Sequence, residues 1–268
     1  MTLLGKTGHT TGRESYLDIE AYLERIDYRG SYPPSAQTLK DMHLAHLLTV
    51  PFENLSIHAG EPIILENDAL FEKIVARRRG GFCYELNGLF TALLRASGFN
   101  VSMLSARVAN GNGGFTQDFD HMPLIVSLDE RWLVDVGFGD TFREPLLIDN
   151  SNVHEQIGRA YRIVSDDEYL ILMERKNGDE WKAQYRFNLQ PYQYADYAAM
   201  CHYHQTSPES HFKQRRICSR ATPGGRVTLS EMRFITTTLE GERQERTLTN
   251  EEEYATMLRE HFGIIVRE

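Results

Sequence analysis

The sequence predicts an α+β protein in three successive parts: an N-terminal helical bundle over 1–100, a central β-barrel-like unit over 101–205 and a C-terminal α/β lid over 206–268. Three observations predict it. Apolar residues first recur at spacings of three and four, the period of an amphipathic helix. From Val101 the pattern changes to short apolar and alternating runs of strand type. Helical patterns then return only from Tyr192 and after Thr249, with further strand-like runs between them.

The elements follow in order. Tyr16, Ile19, Tyr22, Leu23 and Ile26 mark a first helix. Tyr32-Pro33-Pro34 breaks it, and Ser35 caps a second carrying Leu39, Met42, Leu47 and Leu48 that ends before Pro51. Asn67 or Asp68 caps a third, with Leu70, Ile74 and Val75 on one face. A fourth opens near Cys83, after Gly80-Gly81, buries Leu86, Leu89, Phe90, Leu93 and Leu94, and stops at Gly98. Strands are expected over 101–108, 122–128 and 131–136, with Asp129-Glu130 turning the last two into a hairpin. Others are expected over 160–164, 169–173, 181–187, 226–228 and 232–238. A helix is expected from Tyr192 to His202, and a last one, capped by Thr249 or Asn250, through Glu260.

Composition excludes several classes of function. Among 268 residues, 29 Lys and Arg face 38 Asp and Glu, a net charge of −9 that offers nucleic acid no global attraction. No apolar run approaches the roughly 20 residues that span a bilayer, so no membrane partner is expected. Met1 to Ser15 is polar and lacks the apolar core of a secretory leader, which predicts a cytoplasmic protein. Cys83, Cys201 and Cys218 are too few and too far apart for a disulfide framework. His202, His204 and His211 cluster beside Cys201, but histidines two apart diverge on a helix. The segment reads as a solvated polar loop, and no metal is expected.

Chemistry concentrates around Cys83. In Arg79-Gly80-Gly81-Phe82-Cys83 the glycines let the chain turn and place the thiol in the first turn of a helix, where free N–H groups and the helix dipole favour a thiolate. His121 stands at the head of the strand-like run Met122 to Val126. Asp135 follows among Leu133, Val134 and Val136, a carboxylate in a buried-looking strand that needs a partner. A histidine from the neighbouring strand can supply it. Cysteine, base and orienting acid are the components of nucleophilic catalysis, and papain-like and transglutaminase-like hydrolases share that logic.

Four segments together resemble the arylamine N-acetyltransferases: Pro51-Phe52-Glu53-Asn54-Leu55, Arg79 to Cys83, Asp135-Val136-Gly137-Phe138-Gly139 and Gln205 to Ser210. The resemblance runs from about Tyr16 to the end of the chain. It implies a helical bundle, a β-barrel and an α/β lid around a cysteine-protease-like core. The implied reaction carries acetyl from acetyl-coenzyme A to the nitrogen of small aromatic amines, hydrazines or hydroxylamines, by a ping-pong route through acetyl-cysteine. By the same resemblance Cys83 is the nucleophile, His121 the base and Asp135 the orienting acid. Phe52 and Phe138 line the acceptor pocket, Tyr203 and Ser207 contact coenzyme A, and Glu53 with Arg79 forms a structural ion pair. Two departures stand out. Asp118 and Asp120, in the segment from Gly113 to Asp120, would repel pyrophosphate if they faced it. The chain also ends soon after its last helix, which predicts an open cleft with loose acceptor specificity. The competing enzymatic reading is a cysteine hydrolase or amidase with the same triad.

Overall fold

A computed structural model describes residues 17–150 and 152–265; Tyr16 and the polar segment before it lie outside the described residues. The helical part contains α1 (Ile19–Arg25), α2 (Ala36–Thr49), α3 (Leu55–Ala59), α4 (Asn67–Phe71) and α5 (Cys83–Ala96), with the two-residue strand β1 (Phe52–Glu53) after α2. Ser35 caps α2 by accepting the Thr38 N–H at 3.1 Å. Helix α4 begins one residue earlier than expected: Glu66 is the extended residue before it, and Asn67 already lies inside. The helix continues as a π-helical turn over Glu72–Ala76. Helix α5 is buried almost all round, because it is wedged between the other helices and the sheet that follows.

The central strands are β2 (Asn100–Val108), β3 (Leu124–Ser127), β4 (Arg131–Val134), β5 (Leu146–Leu147), β6 (His154–Gln156), β7 (Arg159–Asp166), β8 (Tyr169–Lys176) and β9 (Lys182–Tyr192). They form one antiparallel sheet in the order β5-β4-β3-β2-β9-β8-β7-β6. The expected hairpin is present: Leu124 pairs with Val134 and Ser127 with Arg131. The two edge strands are consecutive in the chain, so the sheet must curl back on itself. His154 Nε2 on β6 lies 3.2 Å from the Leu147 carbonyl on β5 and links the edges. Inside the curl, Leu104, Ile125, Leu133, Phe142, Tyr161, Leu172, Tyr185 and Phe187 form an apolar core.

Tyr192 ends β9, contrary to the helix expected from that residue. A 3₁₀ turn at Tyr194–Tyr197 follows, then α6 (Ala198–Thr206) and α7 (His211–Gln214). A second antiparallel sheet comes next: β10 (Ile217–Thr222), β11 (Gly225–Ser230), β12 (Arg233–Thr238) and β13 (Arg243–Thr247). Its order is β1-β10-β11-β12-β13, so two residues from the helical part complete its edge. Helix α8 (Glu251–Phe262), capped by Asn250, covers it through Tyr254, Met257 and Leu258. Among the described residues no helix is long and apolar enough to cross a membrane.

Candidate active site

Cys83 is the first residue of α5, and the turn that delivers it is built on close backbone approach. A side chain at Gly80 would collide with the Pro51 carbonyl. Glu85 reaches back so that its Oε2 accepts the Phe82 N–H at 3.1 Å, and its Oε1 takes Lys73 Nζ at 2.7 Å. Alongside, Arg79 Nη2 lies 2.9 Å from Glu53 Oε1, and Glu53 Oε2 accepts the Leu55 N–H at 2.7 Å. The expected Glu53–Arg79 ion pair is therefore present, one half of a double pair beneath the cysteine.

The thiol is 2% exposed. Burial, and then the charges of Asp120 and Asp135, push its pKa well above the ordinary thiol value; the Tyr84 N–H acts the other way but is outweighed. Burial therefore works against the thiolate that the helix start favours. Low dielectric and two nearby anions oppose it, and ionisation requires a base.

A candidate base lines the same cleft as Cys83. Loop residue His121 bridges to Ala106 of β2, so its place is fixed by backbone bonds at 2.9 and 3.1 Å. Its Nε2 lies 2.7 Å from Asp135 Oδ2. Asp135, just past β4, is fully buried and accepts three further bonds. Asn87 Nδ2 reaches Oδ1 at 2.9 Å, the Gly137 N–H reaches Oδ1 at 3.0 Å, and the Tyr185 hydroxyl reaches Oδ2 at 3.1 Å. Burial alone would raise this acid, but His121, Asn87 and Gly137 together hold it below the usual carboxylate range. With Nε2 turned to the acid, Nδ1 is the ring nitrogen left for the thiol.

The sequence patterns above do not single out Asn87 or Tyr185. Asn87 lies four residues after Cys83, on the same face of α5, and its Oδ1 also accepts the Val136 N–H at 2.9 Å. A polar residue at that spacing within an apolar stripe was the available signal. Tyr185 sits inside the barrel, where only a long-range contact gives its hydroxyl a purpose. Gly137 permits the meeting of the two halves: a Cβ there would lie 2.9 Å from Cys83 Cα.

A cleft of about 530 Å³ opens on this group, lined by Phe52, Cys83, Asp120, His121, Phe138 and Phe212, with Val108, Gly137, His211, Gln214, Arg215, Ile217 and Ser230 around them. The five expected residues Cys83, His121, Asp135, Phe52 and Phe138 thus meet in one place, Asp135 from behind His121. Phe138 lies edge-on to His121 at 5.0 Å between ring centres. Tyr203 and Ser207 are outside the lining. Tyr203 is partly exposed on α6, and Ser207 is the residue that ends α6.

The histidine segment corrects the sequence reading. It is helix rather than solvated loop, and His204 is 1% exposed. Its Nδ1 faces the Ser210 hydroxyl at 3.0 Å, and its Nε2 lies 3.3 Å from Asp120 Oδ1. The chain turns His204 inward because α6 and α7 close over Phe82 and Tyr84. No group of metal-binding side chains is present among the described residues. Asp118 is taken up by Arg107 at 2.6–2.7 Å. Asp120 accepts the Thr116 hydroxyl at 2.8 Å.

The geometry matches known proteins. The sequence model of the N-acetyltransferase family matches residues 35–268. The arylamine N-acetyltransferase of Escherichia coli K12 is 33% identical over 246 residues, which cover 91% of this chain and 87% of that protein. Among solved structures, the arylamine N-acetyltransferase of Salmonella typhimurium superposes with a TM-score of 0.87 at 31% identity, covering 93% of this chain and 92% of that one. The Mycobacterium marinum enzyme in complex with CoA superposes with a TM-score of 0.84 at 31% identity, covering 92% of this chain and 93% of that one.

Proposed function

Because this chain belongs to the arylamine N-acetyltransferase family and is an acetyl-coenzyme A-dependent acetyltransferase, we propose that Cys83, His121 and Asp135 carry the transfer in two half-reactions. The observation that carries the assignment is the meeting of Cys83 and His121 in one cleft, with Asp135 2.7 Å behind the imidazole.

In the first half, His121 Nδ1 takes the thiol proton as sulfur attacks the thioester carbonyl. Proton transfer and attack are coupled because burial opposes a free thiolate, and Asp135 stabilises the imidazolium that results. The C–S bond to coenzyme A breaks, and the departing sulfur receives the proton back from His121. In the second half, the acceptor nitrogen attacks acetyl-Cys83, a C–N bond forms, the C–S bond breaks, and the nitrogen's proton passes through His121 to the cysteine sulfur.

Small aromatic amines, and hydrazines with them, are the proposed acceptors. Phe52 and Phe138 offer rings for stacking, worth roughly 0.5–1.5 kcal/mol beyond burial. Their apolar faces favour an aromatic amine over water, which separates a transferase from a hydrolase. Coenzyme A is long enough to extend beyond the cleft. Tyr203 on α6 and Ser207 at the end of that helix are its proposed outer contacts. Asp118 does not bar it, since Arg107 engages it, and Asp120 lies with Cys83 in the inner cleft, where the thioester and not the pyrophosphate must reach. A cytoplasmic site of action belongs to the same reading, supported by three unpaired cysteines.

The test is mass spectrometry after mixing with acetyl-coenzyme A, followed by addition of an arylamine. One acetyl group on Cys83, lost on adding the amine and absent in Cys83→Ala, is the expected result. Acetylation of Cys201 or Cys218 instead overturns the assignment.

A further inference from the structure

Asp120 is not needed for the transfer described above, yet it lines the same cleft as Cys83 and precedes His121 in the chain. It is only 9% exposed. One oxygen, Oδ2, is fixed by the Thr116 hydroxyl at 2.8 Å. The other, Oδ1, has His204 Nε2 at 3.3 Å, but the two are not aligned as a hydrogen bond. A carboxylate oxygen accepts about two bonds, so Oδ1 retains capacity for a donor.

The rest of the lining makes this charge stand alone in the inner cleft. Phe52, Phe138 and Phe212 are apolar, and burial lowers the pKa of His211, favouring its neutral form. Arg215 is the other lining side chain with a fixed charge, and it is exposed. Burial would raise the Asp120 carboxyl, but His204 and Thr116 more than offset that and keep it ionised.

We propose that Asp120 selects the acceptor: its carboxylate receives an N–H from the attacking nitrogen or the nitrogen beside it, so the cleft favours arylhydrazines and uncharged arylamines over arylamines with an acidic ring substituent near the amine. The proposal rests on the acetyl-transfer reading. Asp120 takes no proton in the step; deprotonation stays with His121. The discrimination has an attractive part, the added N–H bond, and a repulsive part, two anions brought together in a poorly solvated cleft.

The experiment prepares acetyl-Cys83 protein and follows deacetylation by stopped flow with phenylhydrazine, 3-aminobenzoate and methyl 3-aminobenzoate. Wild type is expected to use the methyl ester at least tenfold faster than the acid at equal concentration. In Asp120→Asn that ratio should fall to within threefold, and the preference for phenylhydrazine over the acid should drop at least tenfold. Near-equal rates for acid and ester in wild type overturn the proposal without any variant. An unchanged acid-to-ester ratio in Asp120→Asn overturns it as well. Failure of wild type to form acetyl-Cys83 sinks the acetyl-transfer reading instead, so the two failures are distinguishable.

Discussion

Two regions under the cleft bury carboxylates completely, and they satisfy them in opposite ways. Glu53 and Glu85 each meet a full positive charge, Arg79 at 2.9 Å and Lys73 at 2.7 Å. Asp135 meets an amide, a backbone N–H, a hydroxyl and one imidazole. The first arrangement is complete without chemistry, since every charge already has its opposite. The second holds an anion with three neutral donors and an imidazole, a group that can carry a proton during the reaction. Two regions with equal burial thus do different work, and the counter-ion decides which.

The largest test of that contrast is Asp135→Asn. An amide keeps the size but loses the charge that answers the imidazolium, and it presents two donors where four were gathered. Transfer measured as kcat should fall by about 10⁴, the scale seen when such an acid is neutralised. A residual rate within tenfold of wild type breaks the comparison, because the charge would then be dispensable.

Glu53→Gln should act on stability instead. It leaves Arg79 without its buried partner, a change that costs about 3–5 kcal/mol by denaturant titration. The protein that remains folded should turn over within about threefold of wild type. The acid limb sharpens the point. Burial would raise Glu53, but Lys73 and Arg79 hold it below the ordinary value. A depressed folded pKa gives stability that is full above the unfolded value of about 4.3 and is lost as pH falls through the folded one. Glu85, raised by burial, works in the opposite sense. Glu53→Gln should therefore flatten the loss of Tm between about pH 5 and pH 3. An acid limb as steep as wild type would show that other groups set it.

The smallest effect is expected from Tyr185→Phe, which removes one donor of four from Asp135 and leaves the ring in place. A hydrogen bond to a charged group contributes about 1.5–3 kcal/mol. Shared among four donors, its loss should slow Cys83 acetylation about tenfold, with the melting temperature changed by only a few degrees. A loss as large as that of Asp135→Asn would mean the hydroxyl does more than hold the acid.

Much of this is legible in the sequence. Cys83 could be placed because Gly80-Gly81 and the stripe from Leu86 to Leu94 both mark where α5 opens. Asp135 stood out because a charge among Leu133, Val134 and Val136 demands a partner. What could not be read depends on contacts far apart in sequence. Strand β10 contains Cys218, Ser219 and Arg220, a mixed pattern whose extended form comes from pairing on both sides, with β1 and β11. Strand β13 is exposed at every residue, so no apolar alternation announces it. His204 looked solvated because its partners, Asp120 and Ser210, become its neighbours only when α6 and α7 fold inward. Tyr185 falls in an expected strand, but its hydroxyl has meaning only once Asp135 lies across the barrel.

Strand β1 carries a consequence for how the molecule is made. Phe52 bridges to Gly81 within the helical part, yet its ladder partner is Ser219. On a ribosome the helices and the curled sheet emerge first, while the outer edge of β1 waits for residues synthesised much later. Contacts of such long sequence separation are slow to form, because the ordering they need precedes the gain. Until β10 docks, one wall of the cleft is an unpaired strand edge of the kind that invites association with another chain. The edge beside Phe52 therefore stays unpaired until the residues of β10, Ile217–Thr222, have been made.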